Sequence, residues 1–145
     1  MTAKGIDGID LSKGRPNLDF NAKNERAFYV TKYSTQAKMW AIRKANMRGR
    51  SAPFVLRFRL NVERCKEQYQ WKTFSDYDEW ALFVEKGRNG TLQHNYDAVE
   101  GPCLANPFAF KSKKKIHPVP IGHQIAIKSH DLLHEMYYDG TLVPF

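Results

Sequence analysis

Between residues 54 and 60 the chain alternates strictly, with Phe54, Leu56, Phe58 and Leu60 on one side and Arg57 and Arg59 on the other. A period of two marks a strand with one buried and one wetted face, and the basic outer face suits an antiparallel sheet solvated on one side. Upstream the period changes. Ala27 to Thr31 is a short aromatic and β-branched run that predicts a strand, and beyond Tyr33 the apolar positions Ala37, Trp40, Ala41 and Ala45 recur at helical spacing. Ser34 or Thr35 is placed to cap that helix, Lys38, Arg43 and Lys44 fall on its wet side, and Gly49 with Pro53 ends it. The first strand therefore hands its residues directly to a helix, a joint where a site can form.

Farther along, Tyr69 to Phe74 reads as a strand, Ser75-Asp76 as the cap of a helix with Trp80, Phe83 and Val84 on its inner stripe, and Gly87 as that helix's stop. Tyr96 to Glu100 reads as a short strand ended by Gly101-Pro102, and Cys103 to Pro120 mostly as loop. Gln124 to Lys128 is a strand. Ser129 or His130 opens a last short helix through Leu132, Leu133 and Met136, and Thr141 to Phe145 closes as an edge strand. Residues 1 to 27 read as loop, punctuated by Gly5, Gly8, Gly14 and Pro16, with Arg15 biased to extended backbone by the proline after it. The whole order predicts an α+β chain with a mainly antiparallel, split sheet that leaves a cleft, and no internal repeat or second domain.

A chain of 145 residues, 42% hydrophobic, is the size of one domain and buries roughly two thirds of its unfolded surface without needing a disulfide. Cys65 and Cys103 have no C-x-x-C spacing and no apolar run opens the chain, so a reduced, intracellular protein, cytoplasmic or nuclear, is expected. No apolar stretch approaches the roughly 20 residues that a membrane-spanning helix requires, so a soluble protein with no membrane partner is expected. The formal charge of +8 changes the picture more. It gathers at Arg43, Lys44, Arg48 and Arg50, and again at Lys111, Lys113, Lys114 and Lys115. Such clusters attract polyanions, and they are equally the composition of a solvated basic face.

The familiar phosphate turns are absent: there is neither Gly-x-Gly-x-x-Gly nor Gly-x-x-x-x-Gly-Lys-Ser/Thr. Neither cysteine has a local catalytic signature, and no Gly-x-Ser-x-Gly occurs. His130 and His134 lie four apart on a predicted helix, as zinc ligands do, but no His-Glu-x-x-His surrounds them and ordinary amphipathic histidines fit as well, so no metal is expected.

Ordered blocks carry the strongest signal. Gly8-Ile9-Asp10-Leu11-Ser12-Lys13-Gly14-Arg15-Pro16 with Leu18-Asp19-Phe20, then Ala27-Phe28-Tyr29-Val30-Thr31, then Gln36-Ala37 with Trp40-Ala41 and Arg43-Lys44-Ala45, resembles a small uncharacterised microbial family of the ADP-ribosyltransferase-like superfamily. Glu79-Trp80, Phe83-Val84, Arg88, Tyr96 to Val99, Gly101-Pro102, Ala105-Asn106 and Gln124 to Ile127 look like its later blocks. The resemblance spans about residues 8 to 135 and implies a single ADP-ribosyltransferase-like domain over residues 1–145. The implied fold is α+β, with split antiparallel sheets, a central cleft for NAD+ and flanking helices.

Residue by residue, the resemblance puts Tyr29 where a tyrosine stacks nicotinamide, with Thr31 beside it on the strand. A flat cation on an aromatic face gains about 1 to 2 kcal/mol, while the plainer role for Tyr29 is a core strand aromatic. Gln124 stands where the superfamily has the glutamate that binds the ribose and steadies positive charge as nicotinamide leaves. A glutamine still bonds a hydroxyl, but it lacks that charge, a loss on the order of a thousandfold in rate. Asp97 and Glu100 are nearby carboxylates in sequence terms that could substitute for the glutamate, although Asp97 also suits a backbone bond at a strand end. Asn106 joins Asp97 on a neighbouring loop of the implied cofactor site. No histidine precedes Gly8, so the superfamily's usual first strand is not matched, and Arg15 is the nearby cation for a diphosphate, or a solvated turn residue. The implied activity is transfer of ADP-ribose from NAD+ to a protein or nucleic-acid acceptor. Two other readings stay open. One is a basic nucleic-acid-binding module using Arg57, Arg59, Lys111 to Lys115, Tyr69 and Trp71. The other is an inactive scaffold of the same fold.

Overall fold

A computed structural model of the chain describes residues 9–47, 49, 52–106 and 117–143. The lysine run at 111–115, Arg48 and Arg50 lie outside them. Among the described residues the protein is a mixed α+β fold with four α-helices and two sheets. A 3-10 turn at Leu11–Lys13 leads to β1 (Phe28–Val30), α1 (Ser34–Met47), β2 (Val55–Arg59), α2 (Val62–Gln68) and β3 (Trp71–Lys72). There follow α3 (Tyr77–Asn89), β4 (Ala98–Leu104), β5 (Pro120–Ile127), α4 (His130–Leu133) and β6 (Tyr137–Leu142). The larger sheet has the order β1-β5-β4-β3, and β2 pairs with β6 in the smaller one.

Several expectations are corrected. The sheets are mainly antiparallel, as expected, but not wholly so, because β3 joins β4 in parallel through the pairs Trp71–Ala98 and Lys72–Val99. The strand expected over Tyr69 to Phe74 shrinks to two residues, since Val62 to Gln68 forms a helix capped by the Asn61 side chain on the Arg64 amide. β4 does not stop at Gly101-Pro102 but runs on to Leu104, and its register with β5 shifts between Gly101 and Cys103. A proline has no ladder N–H, and a bulge is where a sheet accommodates one. β5 begins at Pro120 rather than Gln124, and β6 starts ahead of the expected Thr141 to Phe145 strand, whose last two residues lie outside the described ones. Phe54 lies outside β2 and is 54% exposed.

Gly87 does not end α3. The helix continues to Asn89 and closes on Gly90, whose left-handed φ of 71° lets its amide cap the Gly87 and Lys86 carbonyls. Gly87 is buried for a different reason, which is that any β-carbon there would strike the carbonyls of Leu18 and Asp19. The close approach brings the segment 18–22 down onto the last turns of α3, and Asp19, Phe20, Asn21 and Ala22 are all buried.

Alternation along the strands gives the large sheet two covered faces. On one, Ala98, Ile125 and Ile127 pack with Cys65 of α2 and with Leu132, Leu133 and Met136, joined by Phe28, Val30 and Trp71. Phe58 of the small sheet meets Phe28 edge to face at 6.4 Å, which ties the two sheets together. On the other face, Val99, Ala126 and Tyr29 pack under Phe20, Trp80 and Val84.

Candidate functional site

The pairing of Tyr29 with Ala126 sets Tyr29 on the α3 face of the sheet, and Gln124, two residues from Ala126, points the same way. The structure therefore brings these two expected site residues to one face. Both are occupied by the overlying segment. The Tyr29 hydroxyl donates to Asn21 Oδ1 at 2.6 Å and accepts from the Phe20 amide at 3.0 Å, and burial pushes its pKa well above the ordinary tyrosine value. The Gln124 amide donates to Asp19 Oδ2 at 2.8 Å and to the Pro102 carbonyl at 3.3 Å.

Asp19 is the hub of this face. Its Oδ1 accepts from Arg88 Nε at 2.6 Å and lies 2.5 Å from the adjoining guanidinium nitrogen, a two-point pair. Its Oδ2 accepts from the Leu104 amide at 2.9 Å as well as from Gln124. The carboxylate thus binds four donors and joins the N-terminal segment to α3, β4 and β5. No role was read for Asp19 or Arg88 from sequence. Each falls in the blocks that carry the family resemblance, but their partners lie tens of residues away, where spacing gives no signal.

The opposite face carries a second polar group. His123 Nε2 lies 2.8 Å from Glu100 Oε2, whose other oxygen accepts from Trp71 Nε1 at 3.2 Å and faces Lys66 Nζ at 3.6 Å. Burial drives the Glu100 carboxyl pKa upward, but the bonds from His123 and Trp71 and the Lys66 charge outweigh it and leave the group below the usual carboxylate value. Glu100 and Gln124 are on opposite faces, so Glu100 does not stand beside Gln124.

Between α1 and the end of β4 with the start of β5 lies a groove of about 320 Å³. From α1 come Gln36, Met39, Trp40 and Arg43, and from the strands Cys103 to Ala105 with Ile121 and Gly122. Gly122 has φ 68°, and a side chain there would run into the Gln36 amide. Gln36 accepts from the His123 amide at 3.0 Å and donates to the His123 carbonyl at 2.7 Å and to Cys103 Sγ at 3.3 Å. Burial, with the negative charge of Asp19 adding to it, pushes the Cys103 thiol up to about 12. The thiol is therefore neutral at physiological pH.

The remaining expected residues lie elsewhere. Thr31 accepts from the Tyr33 amide at 3.2 Å, and Arg15 is exposed, with its carbonyl bonded by Asn21. Asp97 accepts from the Gln70 amide at 2.9 Å. Asn106, just beyond β4, bonds the His117 carbonyl and the Val119 amide. Arg57 and Arg59 share Asp139, while Tyr69 bonds Asp131 and Glu135, and Trp71 bonds Glu100. Among the described residues no group of three or more His, Cys, Asp or Glu is placed to hold a metal, and no helix is long and apolar enough to cross a membrane.

Neither the curated proteins nor the solved structures compared with the chain match it. A family match covers residues 2–114, which is most of the sequence and includes the Asp19 segment, β1, α1 and all of β4. The chain belongs to the family described as protein of unknown function (DUF3990).

Proposed function

We propose that this protein is an ADP-ribosyltransferase-like domain that binds NAD+ in the groove between α1 and the adjoining ends of β4 and β5. The observation that carries the reading is the lining of that groove: an indole, Trp40, in its wall and an exposed cation, Arg43, one helical turn away. A flat nicotinamide cation is attracted to an aromatic face, and a diphosphate to a guanidinium. Leu104, which also lines the groove, is tied through its amide to Asp19, which holds Gln124, so the groove adjoins that network.

The geometry favours binding over transfer. Stabilising an oxocarbenium-like ribose needs a carboxylate oxygen aimed at the anomeric carbon. Both oxygens of Asp19 are engaged by Arg88, Leu104 and Gln124, and those of Glu100 by His123, Trp71 and Lys66. ADP-ribose transfer to a protein or nucleic-acid acceptor is accordingly the weaker half of the expectation.

Tryptophan fluorescence read against NAD+, ADP-ribose and nicotinamide tests the proposal, with released nicotinamide followed by chromatography. Saturable quenching by NAD+ that vanishes in Trp40→Phe, with little nicotinamide released, is the expected result. Quenching unchanged in that variant would place the ligand elsewhere.

A further inference from the structure

The pairing of β1 with β5 runs Phe28 to Ile127, Tyr29 to Ala126 and Val30 to Ile125. Continued by two residues, it sets Lys32 opposite His123. The ladder nevertheless stops at Val30, because the His123 carbonyl that Lys32 would use is taken by the Gln36 side chain at 2.7 Å. The Lys32 amide turns instead to the imidazole and donates to His123 Nδ1 at 3.2 Å.

That bond defines the ring. An Nδ1 that accepts from an amide carries no proton, so Nε2 holds the hydrogen and donates it to Glu100 at 2.8 Å. In that tautomer the ring is bonded at both nitrogens. Adding a proton at Nδ1 sets N–H against N–H and breaks the Lys32 bond, while the new charge is held by Glu100. One protonation therefore exchanges a backbone anchor for a stronger ion pair.

We propose that Glu100 and His123 form a proton-controlled latch on the connection between β1 and α1. With the ring neutral, Lys32 is held and α1 is seated. With the ring charged, the connection is released and the helix wall of the groove loosens. The groups that face the ring are Glu100 from β4, Lys66 of α2 through Glu100, the Tyr33 ring at 5.7 Å, and the Lys32 amide. Cys103 meets Gln36 and the backbone of His123. The effect on ligand rests on the NAD+ reading above, whereas the latch itself does not.

The test is a pH titration of the isotopically labelled full chain by NMR, without ligand, reading the His123 ring nitrogens and the backbone amides of Lys32 and Tyr33. The Lys32 amide is expected to move with the same midpoint as the ring. In Glu100→Gln both midpoints should shift together, by the same amount. A Lys32 amide that ignores the ring titration, or a ring midpoint that moves in Glu100→Gln while that of Lys32 stays, overturns the latch. NAD+ affinity measured on both sides of the midpoint should fall at least threefold on the acidic side. If NAD+ fails to bind at any pH while Lys32 follows the ring, the ligand assignment is refuted and the latch stands.

Discussion

Asp19 and Gln124, 105 residues apart in the chain, are joined by a 2.8 Å bond in which the side-chain amide supplies a hydrogen to the carboxylate. The relationship explains why an uncharged residue suits position 124. A glutamate there would put a second carboxylate against one that is already buried, and one of the two would have to take up a proton. Gln124→Glu should therefore lower stability by about 2 to 4 kcal/mol at neutral pH, less at pH 5, as judged by urea denaturation. An unchanged midpoint at pH 7 would mean that the two side chains do not meet.

Arg88 is the other partner of Asp19, with its side chain 20% exposed against 4% for the aspartate. Its removal strands a buried charge, so Arg88→Ala is expected to cost about 3 to 5 kcal/mol. Arg57 and Arg59 pair with Asp139 with side chains 60% and 78% exposed, and truncating either should cost less than about 1 kcal/mol. Equilibrium unfolding of the three variants side by side checks the order.

Both thiols should be silent in the native state. Cys65 is 1% exposed, and burial raises the pKa of both cysteines, Cys103 to about 12. Because the thiolate is the nucleophile, iodoacetamide at pH 8 is expected to label neither until denaturant is added. Rapid alkylation of Cys103 in the folded protein would contradict its raised pKa.

His94 supplies a pH dependence. Its Nδ1 accepts from the Tyr96 amide at 3.1 Å, so Nε2 donates to the Phe20 carbonyl at 2.9 Å, and burial holds its pKa below the ordinary value of 6.5. Below pH 6.5 the unfolded chain binds the proton more readily than the fold does, so this contribution is full above 6.5 and is lost as pH falls through the lower folded value. Denaturation midpoints should drop on acidification, and the drop should be smaller in His94→Asn.

The pattern of apolar positions made some of this legible and hid the rest for physical reasons. α1, the core of β2 and the Asp76 cap of α3 follow from local periodicity and local hydrogen bonds, which a sequence carries directly. α2 was missed because Val62 and Cys65 are its only apolar residues. Pro102 looked like a strand end because a bulge depends on the partner strand. Tyr29 and Gln124 were named and do share a face, yet the segment that covers them was invisible. Gly87 read as a helix stop, when its role is to admit the backbone of Leu18 and Asp19. The Asp19 and Glu100 networks are assembled by long-range pairing, for which spacing gives no signal.

The central claim is that the groove beside Trp40 and Arg43 takes NAD+. Calorimetric titration of NAD+ into the wild-type chain, with Trp40→Ala and Arg43→Glu alongside, tests it most directly. The account predicts saturable binding in the wild type and affinity reduced about tenfold or more in each variant, a loss of about 1.4 kcal/mol. No saturable heat up to millimolar NAD+, or equal affinity in all three proteins, would contradict it.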